Sequence, residues 1–238
     1  MSEPPEPGAG PDASEGEPLP LFPLSSVLFP GAPLPLHIFE ERYRVLVAEL
    51  LARPEGEQRR FGVIAIRSGR EAGPSLPDLH AVGCAAQVRS VTSYSDGRFD
   101  VVTYGVRRFR LLGLDTDSKP FLVGRVQWLP EPEGDSGRAS ALVPPVRTAM
   151  LGYVERLVAT GEAEVDLPEL PTEPLALSYL VAAALLLPLT ERQVLLESPD
   201  AASRLRRVLG LLRRETVLLE QLAAVSAPDL VRISPSPN

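Results

Sequence analysis

Between Leu19 and Leu51 the chain reads LPLFPLSSVLFPGAPLPLHIFEERYRVLVAELL, and within that run the spacing of apolar residues changes once, from extended to helical. Residues 19–29 are apolar except for Pro20, Pro23, Ser25 and Ser26. Proline is tolerated at strand starts and edges, where no ladder hydrogen bond is lost. Val27, Leu28 and Phe29 then read as the first central strand stretch. Pro30-Gly31 is a turn signal, because proline presets one dihedral angle and glycine accepts positive φ. Residues 34–36 give a second extended piece. From Ile38 the period becomes helical. Phe39, Tyr43, Leu46, Val47, Leu50 and Leu51 share one face, and Glu40, Glu41, Arg42, Arg44 and Glu49 cover the other. Pro54 and Gly56 end the helix. This spacing predicts that Phe39, Tyr43 and Leu46 pack the first helix onto a sheet.

More strands follow. Residues 61–67 (FGVIAIR) read as a buried strand and residues 68–78 as a loop. Residues 82–94 are extended, Asp96-Gly97 is a tight hairpin turn, and residues 99–104 return. Gly105 marks a bulge or bend before residues 106–112, and residues 121–129 form the last strand. Short strands separated by turns, with one early helix, suggest a small closed or partly open barrel.

Residues 130–137 (PEPEGDSG) are a linker by composition. The pattern beyond them is helical. Val146, Met150, Tyr153 and Leu157 form one stripe, ended by Gly161. Pro174 opens a helix that stops at Pro188. Thr190 to Gln193 reads as a capping box, in which two side chains satisfy each other's orphan amides. Ser198-Pro199 caps a final helix with the stripe Leu205, Val208, Leu212, Leu219 and Leu222. The fold class is α+β. Residues 1–18 are expected to be a disordered acidic tail, 19–130 a β lobe, 131–137 a linker, 138–225 a helical bundle lobe and 226–238 a flexible tail.

The net charge of −7 is concentrated at the N-terminus, where residues 1–18 hold five acids and no base. The remaining net charge is only −2, which argues against broad electrostatic binding of nucleic acid or an anionic membrane. Lys119 is the only lysine and Cys84 the only cysteine. A lone cysteine permits no internal disulfide and fits a reducing, cytoplasmic setting. Its apolar neighbours read as the surroundings of a buried structural thiol. No secretory signal opens the chain. The longest apolar stretch, residues 175–189, is too short to span a bilayer and reads as a core helix.

Several kinds of chemistry are missing. His37, His80 and Cys84 have no zinc-site spacing. There is no G-x-S-x-G elbow and no G-x-G-x-x-G fingerprint. His37 is read as structural, and the Glu40-Glu41 pair as part of a solvated helix face. No catalytic residue, cofactor-binding residue or metal ligand is assigned.

The stretches LPLFPLSSVLFPGAPLPLHIFEERYRVLV, FGVIAI, VGCAAQVRSV, YSDGRFDVVTYGVRRFRLL and LPLTERQVLLESPDAASRLRRVLGLLRRE, in that order, resemble the Lon N-terminal domain. That domain is the substrate-binding module of ATP-dependent Lon proteases, and the eukaryotic protein cereblon carries one of the same kind. The resemblance covers about residues 19–224. It implies a PUA-like β lobe followed by a helical lobe, and non-catalytic recognition of protein segments. The ATPase phosphate loop G-x-x-x-x-G-K-[ST] has no counterpart here. The serine-lysine dyad of the protease has none either, since Ser118 and Lys119 are neighbours on a turn rather than a positioned nucleophile and base. The chain therefore reads as a stand-alone Lon-type binding domain.

Implied partners are exposed or unfolded protein segments, held in a groove between the lobes or by strand addition at a barrel edge. Tyr94, beside the Asp96-Gly97 turn, is the first candidate for the binding surface, with Arg98 and Arg108 next. The alternative is single-stranded RNA, since Arg89, Arg98, Arg107, Arg108 and Arg110 alternate with Tyr94, Phe99 and Tyr104. The bland reading of that pattern is a solvated strand face over core aromatics. Arg204, Arg206, Arg207, Arg213 and Arg214 are read as a solvated helix face. The oligomeric state is not legible.

Overall fold

The computed structural model describes residues 16–54, 59–69, 77–159 and 169–226, with residues 222–226 described by backbone alone. Gly56, Gly161, most of the 68–78 loop, the side chain of Leu222 and the two chain ends lie outside that set. The chain divides into two compact units, Met1–Pro130 and Glu131–Asn238.

The first unit is built on strands. They are β1 (Glu17–Leu24), β2 (Pro33–Ile38), β3 (Arg60–Ser68), β4 (Asp78–Leu79), β5 (Val82–Ser93), β6 (Phe99–Asp115) and β7 (Val123–Trp128), with α1 (Glu41–Leu51) between β2 and β3. β1 pairs antiparallel with β7 and parallel with β3, so the order β1-β7-β6-β5-β3 returns to β1 and closes a five-stranded ring. Its interior is filled by Leu19, Leu21, Ile64, Phe109 and Val126. β1 is also covered on its outer side, where the Phe22 ring stacks on Tyr43 of α1 at 3.9 Å. That two-sided burial is why β1 reads as a nearly unbroken apolar run.

Two boundaries differ from the sequence reading. The first strand is Glu17–Leu24, so Glu17 and Pro18 belong to β1, while Val27, Leu28 and Phe29 are buried without strand pairing. The prolines fit because Leu21 donates to the Leu122 carbonyl at 2.8 Å, while Pro18 and Pro20 take alternate positions, where that edge asks for no donor. In α1 the helix starts at Glu41 after an extended Glu40. Tyr43, Leu46, Val47 and Leu50 are buried as expected, but Phe39 lies outside the helix and is 64% exposed. Phe39 precedes the cap, so the helical period does not govern where its ring points.

β6 serves two neighbours in succession along one edge. Its first half pairs with β2 and its second half with β7, while β5 runs along the other edge. The outer half of the β5–β6 hairpin, together with β2, thus forms a three-stranded arm outside the ring. Gly105 sits at the change-over. The β5–β6 register shifts there, and the segment after β1 crosses at contact distance: Gly31 donates to the Gly105 carbonyl at 2.8 Å and Gly105 to that of Ala32 at 2.9 Å.

The second unit contains α2 (Ser136–Ala159), α3 (Pro174–Ala184), α4 (Leu189–Leu196) and α5 (Ala201–Ser226). The expected stripe of α2, Val146, Met150, Tyr153 and Leu157, is buried. The helix starts earlier than that stripe, capped by Asp135 Oδ1, which accepts from Arg138 N at 3.0 Å, and it runs through Pro144 and Pro145. Those prolines deprive the carbonyls of Ser140 and Ala141 of donors, and both residues are exposed, so water can replace them. The capping box does not form: Thr190 is inside α4, and buried Gln193 donates instead to Glu197 Oε1 at 2.8 Å. The cap of α5 is Asp200 rather than Ser198, since Asp200 Oδ1 accepts from Ser203 N at 2.6 Å. Asp200 stands directly before the first helical residue, where its carboxylate reaches the free amides of the first turn, whereas Ser198 lies two positions further back.

Candidate functional site: the outer face of the β2–β6–β5 arm

Opposed residues of paired strands point to the same face of a sheet. In the arm, β6 places Val101 and Thr103 inward, both buried, and Asp100, Val102 and Tyr104 outward. β2 sets His37 opposite Asp100, Pro35 opposite Val102 and Pro33 opposite Tyr104. The outer face therefore carries a strip of Pro33, Pro35, Val102 and Tyr104. Val102 is 42% and Tyr104 38% exposed. Phe39 and Tyr94 extend that strip at the tip, Tyr94 being 42% exposed.

A polar network holds the tip. Tyr94 donates its hydroxyl to Asp100 Oδ2 at 2.5 Å, and His37 Nδ1 lies 2.6 Å from Asp100 Oδ1. The His37 ring lies 6.3 Å from that of Phe39 and 6.4 Å, edge-on, from that of Tyr94. Arg98 is paired with Asp96 at 2.7 Å, and its guanidinium stands 5.9 Å from the centre of the Tyr94 ring. Arg44 of α1 reaches the turn, donating to the Gly97 carbonyl at 2.7 Å. Gly97 has a φ of 82°, so the turn demands glycine, and a Cβ there would also push aside Arg44 Nη2, which it would meet at 1.9 Å.

The shared proton network shifts both partners. The bond to Asp100 pushes the Tyr94 phenol above its ordinary value, and the bonds from Tyr94 and then His37 hold the Asp100 carboxyl below its ordinary 3.8. A carboxyl depressed in the folded state stabilises above its unfolded pKa and loses that contribution as pH falls through the folded value. The tip should therefore keep its Tyr94 and His37 bonds at pH 4 and above, and release them only on stronger acidification. Tyr94 ring resonances followed by NMR across that range check this; a transition centred above 3.8 would remove Asp100 as the anchor.

The candidate residues from the sequence separate here. Tyr94 and Arg98 lie together at the exposed tip. Arg108 does not: it is 2% exposed and donates to the Pro130 carbonyl at 3.1 Å. The bulge beside Gly105 changes the inward-outward parity of β6, so Arg108 falls on the face of Val101 and Thr103, while Phe109 on the opposite face fills the ring. Arg107 instead lies 5.5 Å from the centre of the Trp128 ring, away from the arm. Phe39, which sequence reasoning placed in the core, is the most exposed apolar residue of the arm region. Lys119 pairs with Glu49 at 2.8 Å and Ser118 donates its amide to Asp115 at 3.0 Å, so each serves a carboxylate in its own surroundings. Among the described residues no cluster of three or more His, Cys, Asp or Glu could hold a metal ion, and no helix is long and apolar enough to cross a membrane.

A closed β ring joined in sequence to a helical unit is the architecture of a Lon-type N-terminal domain. The family described as the ATP-dependent protease La (LON) substrate-binding domain matches residues 18–214, and the chain belongs to that family. Among curated relatives, the Lon protease of Paraburkholderia phytofirmans is 33% identical over 206 residues, 84% of this chain and 25% of that protein. The Lon protease of Anaeromyxobacter dehalogenans is 29% identical over 204 residues, 85% of this chain and 24% of that protein. The chain thus spans about a quarter of the length of the curated relatives it matches. Among solved structures, a Lon N-terminal domain protein from Xanthomonas campestris superposes with a TM-score of 0.56 at 26% identity, covering 82% of this chain and 98% of that one. The N-terminal domain of the Mycobacterium avium complex Lon protease gives 0.62 at 21% identity, covering 84% and 98%, and speaks for the fold alone.

Proposed function

We propose that this chain is a non-catalytic recognition module that captures exposed or unfolded protein segments on the outer face of the arm. The observation that carries this reading is the contiguous strip of Pro33, Pro35, Val102 and Tyr104 ending in Phe39 and Tyr94. A ring as bulky as Phe39, left 64% exposed beside a fixed polar network, is a surface ready to exclude water with a partner. Strand addition is the weaker mode. The ring is closed, β4 is only two residues long, and β2 offers no N–H at Pro33 or Pro35. Nucleic acid is the weaker partner. Arg98 is committed to Asp96, Arg108 is buried, and Asp96 and Asp100 place negative charge at the tip.

The test is a titration of the full chain with a fluorescent, permanently unfolded protein and, separately, single-stranded RNA, each at two salt concentrations. Phe39→Ala and Tyr104→Ala should each weaken capture of the unfolded protein about tenfold. Phe39→Ala should leave unfolding free energy within about 0.5 kcal/mol, because its ring is exposed. Unchanged capture by both variants, or RNA binding that weakens steeply with salt and is lost in Arg98→Ala, would replace this reading.

A further inference from the structure

The helical unit carries a groove of about 670 Å³ between α4 and α5. Its floor is apolar. Val194 of α4 is 45% exposed there, and Leu195 and Leu211 line it. Gly210 leaves the middle open, since a Cβ at that position would meet nothing within 4 Å. Arg206, Gly210 and Arg214 fall four residues apart, on one side of α5.

The two basic ends of this groove differ. Arg214 is neutralised, forked onto both carboxylate oxygens of Glu191 at 3.0 and 2.6 Å and paired with Glu215 at 2.7 Å. Arg206 and Arg207 are exposed and form no hydrogen bond or ion pair among the described residues. A second hollow, of about 520 Å³ and lined by Arg138, Ala141 and Leu142, opens on the other side of Arg206. The apolar floor is thus flanked by positive charge, of which Arg206 feels the Asp200 carboxylate only through space, without a direct ion pair. Among the described residues that line the groove Glu191 is the only acid, and it already serves Arg214.

We propose that this groove docks an acidic amphipathic helix of a partner protein, with leucine-type side chains over Gly210 and Val194 and carboxylates on Arg206 and Arg207. A slot between two helices presents ridges that a third helix can fill. The eight residues of α4 give it a length of about 12 Å, enough for two turns of that helix. This surface is separate in composition from the arm, and neither proposal depends on the other.

The experiment is fluorescence polarisation of the full chain with a labelled helical peptide carrying leucines on one face and glutamates along its margins. A control peptide has each glutamate replaced by lysine, and a single-stranded DNA oligonucleotide tests the arginines alone. The acidic peptide should bind, and the lysine peptide should not. Gly210→Leu, which fills the slot, and the double variant Arg206→Glu, Arg207→Glu should each weaken binding at least about tenfold. Gly210→Leu sits in open space on a helix, so its melting temperature should not fall. Equal binding of both peptides, undiminished binding by Gly210→Leu, or tighter binding of the oligonucleotide than of the acidic peptide would overturn the proposal. Capture of unfolded protein by the arm should be unchanged in all three positions' variants, so a failure here is distinguishable from a failure there.

Discussion

Replacing Arg204 by alanine should lower the unfolding free energy by about 4 kcal/mol, from lost hydrogen bonds and a cavity acting together. Arg204 is fully buried. Its Nε donates to the Leu195 carbonyl at 3.0 Å, Nη1 to Ser178 Oγ at 3.0 Å and Nη2 to the Ser198 carbonyl at 3.2 Å. Its guanidinium plane lies 3.9 Å from the centre of the Tyr179 ring, whose hydroxyl donates to Glu131. One side chain thereby holds α3, the end of α4 and the turn into α5. Alanine removes a donor from two carbonyls and a hydroxyl in a setting that excludes water. Lysine at this position should be nearly as damaging, because a single ammonium cannot reproduce the fork. Urea unfolding of the full chain checks this, with Arg206→Ala as the control. Arg206 is two positions on and exposed, and its loss should stay within about 0.5 kcal/mol. A loss below about 1 kcal/mol for Arg204→Ala would show that the buried network is dispensable.

Gly105→Ala should cost about 3 kcal/mol, at the upper end of overpacking effects. A Cβ there would stand 2.2 Å from the Phe29 carbonyl oxygen, 2.8 Å from its carbon and 3.1 Å from Cys84 Sγ. The first two atoms are backbone, pinned by the paired hydrogen bonds between Gly105 and residues 31 and 32, so they cannot swing aside as a flexible side chain would. The clash has to separate β6 from the crossing segment. Differential scanning calorimetry of the variant against Gly210→Ala makes the contrast direct, since Gly210 has open space and alanine favours a helix there by about 1 kcal/mol. Similar melting temperatures for the two variants would mean that the crossing can relax. The same crossing fixes where the arm leaves the ring. Partial folding of Gly105→Ala should therefore disturb capture by the arm more than an equal loss of stability in the helical unit.

The strands of the ring, the first helix, the hairpin turn at Asp96-Gly97 and the buried stripe of α2 were legible because each depends on local periodicity. A run that is apolar at every position reports two-sided burial, and a three-four spacing reports one buried helix face. Turn chemistry announces itself through glycine and proline. One missed feature was available in the same way. Arg204 lies one residue before Leu205 and four before Val208, squarely on the core stripe of α5, so its burial follows from spacing once charge is not taken as proof of exposure. The cap of α5 was similarly open to reading, since Asp200 stands directly before the first helical residue.

What no local pattern contains is the parity of β6 and the fate of Phe39. A single extra residue at the Gly105 bulge turns Arg108 inward and separates it from Tyr94 and Arg98, at the point where the segment after β1 crosses. Phe39 has the hydrophobicity of a core residue and nearly the right spacing. The cap at Glu40 ends the helix before it, and the pairing of β2 with β6 carries it to the open tip. Local spacing was enough to place most of the strands and helices, residues 27–29 excepted, and to show the family they compose. Which aromatic and which arginine face the solvent is set by register between strands far apart in the chain, and no local pattern carries that.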